Sequence, residues 1–407
     1  MAHKTLINGT QYGIKGGTTL VSGTSYSVKN GKTLIGGTEY DISFLLPPAA
    51  LDVWSGENAS INCIAYANGY WVVGGSYYDG SYRYARIAYT TSVDSAWTVK
   101  DLWSGSSGPN NVTCITYANG YWVVGGNCRS GSSYYAYISY ATTPDGTWTN
   151  QNVWKASYTT VTGIAYGDGY WVVAGYYGSD SNNARIAYAT SLSGSWSAKT
   201  LWSDTSNNRT NTINCIAYAN GYWVVGGVRT YNSSTCYALI AYATTPSDTW
   251  TKNDLWSSSY SGISNAYISG IIYENGYWVV TGTYYSGSGN IYNCSIAYST
   301  SLDGTWTTKD IWNGSGDTTS IAYTNGYWVV CGDYYSNGIH CARIAYATSL
   351  SGSWVVKDVW SGVTFDSIIK GIAYGDGYWM VGGQQYDGSS YNARIAYTPD
   401  LSQFDQI

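Results

Sequence analysis

The sequence has few charged residues, few prolines and almost no histidine. Only 11% of its 407 residues are charged, and it contains 6 prolines, 3 phenylalanines and 2 histidines. No run approaches the roughly eighteen apolar residues of a membrane span, and a net charge of −5 leaves no basic surface for nucleic acid. The first residues lack the apolar core of a secretory signal peptide. We therefore expect no nucleic-acid partner, no membrane insertion and no signal-directed export from the cytoplasm.

Metal and cofactor sites are expected to be absent. The 8 cysteines occur without a Cys-x-x-Cys pair, and His3 and His340 are the only histidines, so the usual zinc-binding sets cannot be assembled. The cysteines are predicted to be small buried residues in strands. Cys331 and Cys341 lie on neighbouring predicted strands, and their spacing leaves open whether they form a disulfide.

What the sequence does contain is typical of β-structure. It has 45 tyrosines, 20 tryptophans and 49 glycines. Aromatic and β-branched residues favour strands, glycine and asparagine favour turns, and long runs of helix formers are missing. The composition predicts an all-β protein and argues against helical bundles and α/β folds.

An internal repeat accounts for every tryptophan. The phrase Gly-Tyr-Trp recurs seven times, and two further tryptophans follow it in most copies. The tryptophans of this phrase are Trp71, Trp122, Trp171, Trp223, Trp278, Trp328 and Trp379. Each copy contains four strand-like runs, of which the first two are joined by an Asn-Gly or Asp-Gly turn. Repeats with four strands each predict the blades of a β-propeller.

The predicted architecture is a seven-bladed ring of four-stranded blades. The seventh copy lacks its last strand, and a matching strand occurs ahead of the first copy as Leu51-Asp52-Val53-Trp54. We expect this N-terminal strand to complete the last blade and close the ring, because closure removes exposed sheet edges. The propeller is therefore assigned to residues 47–407.

A separate repeat of 14 residues occupies residues 1–46. Thr5–Tyr12 reappears as Thr19–Tyr26 and as Thr33–Tyr40, and each copy is predicted to form a hairpin that turns at Asn-Gly, Ser-Gly or Gly-Gly. Three such hairpins bury little surface by themselves. We expect this small β-hairpin domain to anchor the protein to a partner or to form a homo-oligomer.

Two resemblances to known families are carried by these motifs. Thr143-Pro144-Asp145-Gly146-Thr147-Trp148 and its equivalents resemble Asp-boxes, the structural turns of sialidase-like propellers. They are shorter than the usual box, and two copies carry Ser193 and Ser351 in place of the aspartate. The hairpin repeats are similar to N-terminal repeats of tail-associated virion proteins of tailed phages. That resemblance implies a virion component that is made in the host cytoplasm and contacts other virion proteins through residues 1–46.

The candidate binding surface is the end of the propeller opposite the Asn-Gly turns. The loops between second and third strands and between blades differ there from copy to copy, and they are rich in Tyr, Ser, Gly and Asn, as antibody paratopes are. Tyrosine offers a flat apolar ring with one hydroxyl, which suits sugar rings. The residues predicted to bind ligand are Tyr77, Tyr78, Arg83, Arg129, Tyr176, Tyr177, Arg209, Arg229, Tyr231, Tyr260, Tyr284, Tyr285, Tyr334, Tyr335 and Tyr386. The alternative is that the paired tyrosines only pack the rim of the blades.

The charged residues argue against catalysis. We expect four arginines at one third-strand position to pair with fourth-strand aspartates rather than to clamp a ligand; they are Arg86, Arg185, Arg343 and Arg394, and the aspartates are Asp101, Asp358 and Asp52. Thr200 takes the place of the aspartate opposite Arg185. Glycosidases need two carboxylates at a defined separation, and the candidates here are scattered around the predicted ring: Glu57, Asp79, Asp180, Asp204, Asp317, Asp333, Asp366 and Asp387.

The leading hypothesis is a phage virion protein, tail- or fibre-associated, whose propeller binds a glycan or receptor on the host cell surface. A structural decoration protein of the capsid or tail without a ligand is an alternative. A glycan-cleaving hydrolase is the other alternative, although we do not expect an enzyme.

Overall fold

The computed structural model describes most of the chain. The described residues are 3–7, 10–15, 18–21, 24–27, 31–35, 38–42, 48–105, 108–178, 183–203, 211–232, 235–259, 266–285, 292–336, 338–360 and 365–407, with the backbone alone before residue 48 and at 231, 232, 258 and 259. The chain divides into two compact units, residues 1–47 and 48–407. Most described residues lie in strands, so the predicted all-β class is confirmed.

The described residues of the first unit form antiparallel strands. Its strands are β1 (His3–Ile7), β2 (Thr10–Lys15), β3 (Thr18–Val21), β4 (Thr24–Ser27), β5 (Gly31–Ile35) and β6 (Thr38–Ile42). Strands β1 to β4 form one sheet, and β5 pairs with β6. The pairs that close the three repeats are Ile7 with Thr10, Val21 with Thr24, and Ile35 with Thr38, as the hairpin prediction requires. The predicted role of this unit as an anchor is tested by nothing in the structure.

In the second unit, each of the first six repeats provides four antiparallel strands in chain order. Repeat 1 has β7 (Ala49–Ala67), β8 (Tyr70–Tyr78), β9 (Arg83–Thr90) and β10 (Thr98–Gly105); repeat 2 has β11 (Asn111–Ala118), β12 (Tyr121–Ser130), β13 (Ser133–Ala141) and β14 (Thr149–Ala156). Repeat 3 has β15 (Tyr158–Gly167), β16 (Tyr170–Gly178), β17 (Asn183–Ala189) and β18 (Ser197–Trp202); repeat 4 has β19 (Asn211–Ala219), β20 (Tyr222–Asn232), β21 (Thr235–Ala243) and β22 (Thr251–Ser259). Repeat 5 has β23 (Ala266–Glu274), β24 (Tyr277–Tyr285), β25 (Tyr292–Ser299) and β26 (Thr307–Asn313); repeat 6 has β27 (Thr318–Thr324), β28 (Tyr327–Ser336), β29 (Ile339–Ala347) and β30 (Val355–Asp358).

The seventh repeat has three strands of its own. They are β31 (Ser367–Gly375), β32 (Tyr378–Tyr386) and β33 (Tyr391–Thr398). Strand β33 pairs with the first half of β7, where Arg394 lies opposite Asp52 and Ala393 lies opposite Trp54. Because the second half of β7 belongs to repeat 1, the two repeats share one continuous seven-stranded sheet. A short 3₁₀-helix, η1 (Leu401–Gln406), follows β33 and buries Leu401 and Phe404.

The hairpin turns and the cores between sheets follow directly from the repeat sequence. Asn68 has φ 49° and Gly69 has φ 77°, which is the left-handed pair that a tight two-residue hairpin needs. The other copies of this turn have the same signs of φ. The repeated tryptophan is fully buried, as at Trp171, where it packs with residues of the preceding repeat such as Val123 and Ile138. The apolar second strands therefore join neighbouring sheets face to face.

A β-bulge in the first strand explains why each second strand carries a glycine. The register of β7 shifts between Ile61 and Cys63, opposite Gly75 and Gly74. A Cβ atom on Gly75 would lie 1.8 Å from the carbonyl oxygen of Ser60. The equivalent glycines of all seven repeats are equally close to backbone oxygens, so no larger residue fits there. The bulged residue itself, Asn62 in repeat 1, is placed at the axial pocket described below.

Within the described residues, the structure contains no helix long and apolar enough to cross a membrane.

Candidate functional site

Three of the predicted ligand-binding tyrosines are engaged inside their own repeats. Each covers the third-strand arginine with its ring. The guanidinium carbon lies 3.9 Å from the ring centre for Arg86 and Tyr77, 3.4 Å for Arg185 and Tyr177, and 4.0 Å for Arg343 and Tyr334. This geometry is the packing role that the alternative interpretation assigns to the paired tyrosines.

The predicted ion pairs of the third-strand arginines are confirmed for three of the four. The arginine Nε donates to a carboxylate oxygen at 2.6 Å in all three cases, namely Arg86 with Asp101, Arg343 with Asp358, and Arg394 with Asp52. Arg185 lies opposite Thr200, and its Nε is buried without a hydrogen-bond partner among the described residues. These arginines are therefore held within the sheets and do not form a clamp for a ligand carboxylate.

Most other predicted residues also contact neighbouring side chains. Tyr284 stacks on Trp256 with ring centres 5.7 Å apart, and burial raises the pKa of its hydroxyl. Tyr285 is buried, and burial also raises the pKa of the half-buried Tyr176. Four more members pack as follows: Tyr78 donates to the Gly80 carbonyl at 2.7 Å, Arg83 lies over Tyr78, Arg129 lies over Tyr134, and Arg229 pairs with Asp254 at 2.8 Å.

Three predicted residues lie outside the described part of the site. Arg209 and Tyr260 fall outside the described residues, and Tyr231 lies in β20 without a described side chain. For the whole predicted set, the ligand-binding role stays a prediction.

The structure brings two of the predicted tyrosines, Tyr335 and Tyr386, into one surface between repeats 6 and 7. We call Tyr335, His340, Phe365 and Tyr386 the aromatic surface. Tyr335 and Phe365 are 42% and 41% exposed, which is high for rings of this size. Tyr335 lies 4.8 Å from the His340 ring, and Phe365 meets the Tyr386 ring edge-on at 5.6 Å.

Asp366 holds the two halves of the aromatic surface together. Its Oδ1 accepts a hydrogen bond from the His340 backbone N–H at 2.9 Å. Its carbonyl oxygen accepts from the Tyr386 N–H at 2.8 Å. Asp366, the residue after Phe365, is thus joined to β29 on one side and to β32 on the other.

A buried aspartate orients the histidine of the aromatic surface. Asp333 Oδ2 lies 2.6 Å from His340 Nδ1, and the Asp333 side chain is only 5% exposed. Burial raises the pKa of the Asp333 carboxyl, and the hydrogen bond to His340 opposes that shift. The His340 side chain is 39% exposed. The ring is therefore held at Nδ1 while part of it remains accessible.

Two further exposed tyrosines lie at the same loop end of the unit. Tyr158 is 57% exposed and stacks on Tyr134 with ring centres 5.3 Å apart. Tyr82 is 47% exposed beside Tyr84. By contrast, Tyr222 is the one exposed aromatic residue near an Asn-Gly turn within the described part of the chain.

A polar pocket lies where the first strands of all seven repeats meet. It has a volume of about 270 Å³ and is lined at one level by the bulged residues Asn62, Thr113, Thr162, Asn214, Ser269, Thr319 and Lys370. Each side chain reaches the next repeat; for example, Asn62 Nδ2 donates to the Val112 carbonyl at 2.8 Å. Lys370 Nζ reaches repeat 1 by donating to Ser60 Oγ at 2.8 Å and to Asn62 Oδ1 at 3.1 Å.

The described residues contain no group of three or more His, Cys, Asp or Glu side chains placed to hold a metal ion. All 8 cysteines are free thiols. Cys331 and Cys341, whose pairing the sequence leaves open, are not bridged, and burial raises the pKa of both thiols.

Comparison with known proteins yields only distant structural neighbours. No family profile matches the chain, and no curated protein matches it. A sialidase of Trypanosoma rangeli in complex with sialic acid matches with a TM-score of 0.42 and 11% identity over 97% of this chain and 61% of the sialidase. YjhT matches with a TM-score of 0.45 and 12% identity over 75% of this chain and 99% of its own. Sqt1 of Chaetomium thermophilum matches with a TM-score of 0.46 and 11% identity over 84% and 88%.

These neighbours have β-propeller folds. The chain spans about three fifths of the length of the sialidase. Several of the sialidase structures hold sialic acid or an inhibitor, which is a property of those proteins. At this level of likeness, their activity does not transfer to the present chain.

The leading hypothesis of a phage virion protein that binds a host receptor is wrong. The neighbours are sialidases, YjhT and Sqt1, and none of them is a virion protein. The virion hypothesis depends on residues 1–46, a short and simple hairpin motif that covers about a tenth of the chain. The predicted virion partners have no support either, and the predicted location is not tested.

Phe365 and Lys370 are not among the residues predicted from the sequence. Phe365 lies in a loop without the paired tyrosines that mark the other candidates, although phenylalanine occurs only 3 times in the chain. Lys370 lies in a first strand, away from the tyrosine-rich loops. Aligning the seven repeats at that position reveals one lysine among six short neutral residues.

Proposed function

We propose that this protein binds carbohydrate through the aromatic surface of repeats 6 and 7. The observation that carries the proposal is a pair of exposed aromatic rings, Tyr335 and Phe365, held beside polar groups that are already oriented. Aromatic rings offer flat apolar faces to the C–H faces of sugars, and ordered polar groups select among hydroxyls. His340 and Asp366 are the polar groups within this surface.

The carrier of this surface is, in our proposal, a seven-bladed propeller closed by the N-terminal strand. Three contacts made by the last repeat or by the N-terminal strand support closure. Arg394 pairs with Asp52, Trp54 Nε1 donates to the Ser76 carbonyl at 3.0 Å, and Lys370 donates to Ser60. A closed ring gives each loop two fixed neighbours, which suits a binding surface built from separate repeats.

The proposal is tested by screening the full-length protein on a panel of immobilised neutral, amino and acidic glycans. The variants are Tyr335→Ala and Phe365→Ala, and the matched control is Tyr222→Ala, which removes an exposed ring near a turn. We expect retention on at least one class of glycan, a loss of tenfold or more in the first two variants, and no change in the control. Equal retention of all four proteins would refute the site, and no retention on any glycan would refute the function for the panel.

Glycan cleavage is the second candidate function. The observation in its favour is that two carboxyl groups, Asp333 and Asp366, flank His340, and burial raises the pKa of one of them. Released sugar is measured in the same screen, with Asp333→Asn and Asp366→Asn as variants. Release that both variants abolish would favour cleavage, and binding without release would leave carbohydrate recognition alone.

A further inference from the structure

The axial pocket contains one charged side chain whose charge the repeat pattern does not require. Six bulged residues are short and neutral, and five of them donate a hydrogen bond to a carbonyl of the next repeat: Asn62, Thr113, Thr162, Asn214 and Thr319. The sixth, Ser269, contacts the hydroxyl of Thr318 in the next repeat. Threonine or asparagine at the seventh position would continue the same pattern, so the positive charge of Lys370 needs a separate explanation.

The charge of Lys370 is not balanced by a carboxylate within the described part of the pocket. Its Nζ donates to Ser60 Oγ at 2.8 Å, to Gln384 Oε1 at 3.0 Å and to Asn62 Oδ1 at 3.1 Å. These three acceptors are neutral, so they satisfy the hydrogen bonds of the ammonium group without cancelling its charge. Desolvation lowers the pKa of Lys370 to about 8, which shows that the surroundings oppose the charged form.

The other residues that line the pocket carry no acidic group. They are hydroxyl, amide, thiol, glycine and isoleucine side chains contributed by the seven first strands. Among the described residues that line the pocket, Lys370 is therefore the one with a charged side chain. In a partly desolvated cavity, such a charge attracts an anion more strongly than it would on an open surface.

We propose that the axial pocket binds a small oxyanion, a carboxylate or a phosphate, beside Lys370 Nζ. The anion balances the lysine charge and accepts a hydrogen bond from the second amide N–H of Asn62, whose first N–H is donated to the Val112 carbonyl. A pocket of about 270 Å³ has room for an ion of this size with several waters. This site is separate from the aromatic surface and does not depend on carbohydrate binding.

The direct test is calorimetric titration of the full-length protein with phosphate, and separately with acetate, at constant ionic strength set with chloride. Lys370→Gln keeps hydrogen-bonding capacity without the charge, and Lys370→Met removes both. Lys199→Gln is the matched control, because Lys199 Nζ caps a turn of the next repeat by donating to the Ser247 carbonyl at 2.8 Å. We expect saturable binding of one of the two anions that weakens at least tenfold in both Lys370 variants and persists in the control. Binding of neither anion, or equal binding by Lys370→Gln, would overturn the proposal.

A labelling measurement keeps the test decisive if the Lys370 variants fail to fold. The wild-type protein is acetylated briefly at pH 8 with and without phosphate or acetate, and the modification of each lysine is read by peptide mass spectrometry. We expect the bound anion to slow acetylation of Lys370 at least threefold while Lys199 is unaffected. Unchanged labelling of Lys370 with both anions at millimolar concentration would contradict the proposal.

Discussion

Replacing Gly75 by alanine tests whether the bulge in each first strand determines the packing of the sheets. A Cβ at residue 75 would lie 1.8 Å from the Ser60 carbonyl oxygen, 2.8 Å from its carbonyl carbon and 3.0 Å from the Ile61 Cα. All three atoms belong to the backbone, so no side-chain rotation can relieve the clash. The bulge itself must move by more than 1 Å, away from the register that pairs Ile61 with Gly75.

The expected loss of stability follows from that displacement. Overpacking a well-packed interior destabilises by about 1–3 kcal/mol, and a clash with backbone alone belongs at the upper end, about 3 kcal/mol. With an unfolding entropy of about 2.1 cal/mol/K per residue, a unit of this size loses about 4 °C in Tm. Scanning calorimetry of the full-length protein measures the shift.

Gly194→Ala provides the matched control. Its added Cβ would approach nothing closer than 3.3 Å, and the residue has no left-handed φ. We expect a change of less than about 0.5 kcal/mol there. If Gly75→Ala proved as stable as Gly194→Ala, the reasoning that the bulge fixes the glycine would be refuted.

Three further outcomes are expected. Thr200→Asp supplies the missing partner of Arg185 and raises stability by about 0.5–1 kcal/mol in urea denaturation, whereas Thr200→Asn does not; equal effects of the two would disprove the pairing. Asn68→Ala removes the side chain that makes a left-handed φ of 49° tolerable, and it is expected to lower the free energy of unfolding by about 1 kcal/mol. Asn68→Gly is expected to change it by no more than a few tenths of a kcal/mol. Unchanged stability of Asn68→Ala would contradict the turn geometry. The folded-state pKa of Lys370 is lowered to about 8 from the ordinary 10.5, so the folded state binds fewer protons than the unfolded state between these pH values. The free energy of unfolding of the wild type is therefore expected to increase relative to that of Lys370→Gln as pH rises from 8 to 10.5. The increase is at most about 3 kcal/mol, and it is smaller where solvent in the pocket screens the charge. A pH-independent difference between the two proteins in urea denaturation would show that the lysine is not desolvated.

The sequence predicts the strands well because the repeat supplies seven copies of each signal. A turn such as Asn68-Gly69 requires left-handed backbone, and only a few residue types adopt it without strain. The pairing of Arg343 with Asp358 is predictable as well, since residues opposite each other on neighbouring strands follow from register.

The candidate site was less predictable because it depends on contacts between repeats. Tyr334 and Tyr335 are adjacent in sequence, yet one covers an arginine within its sheet and the other is exposed beside His340. Alternation along a strand sends neighbours to opposite faces, and the loop composition alone does not reveal which face is covered. The position of Phe365 depends on Asp366 joining two strands, which no local pattern indicates.

The central claim, that the aromatic surface recognises carbohydrate, is tested most directly by one affinity measurement. The glycan retained most strongly in the screen is titrated calorimetrically into the full-length protein, into Phe365→Ala and into Tyr222→Ala. The account predicts saturable binding by the wild type and by Tyr222→Ala, and a dissociation constant at least tenfold weaker for Phe365→Ala. Equal affinities of Phe365→Ala and the wild type, with both proteins folded, would contradict it.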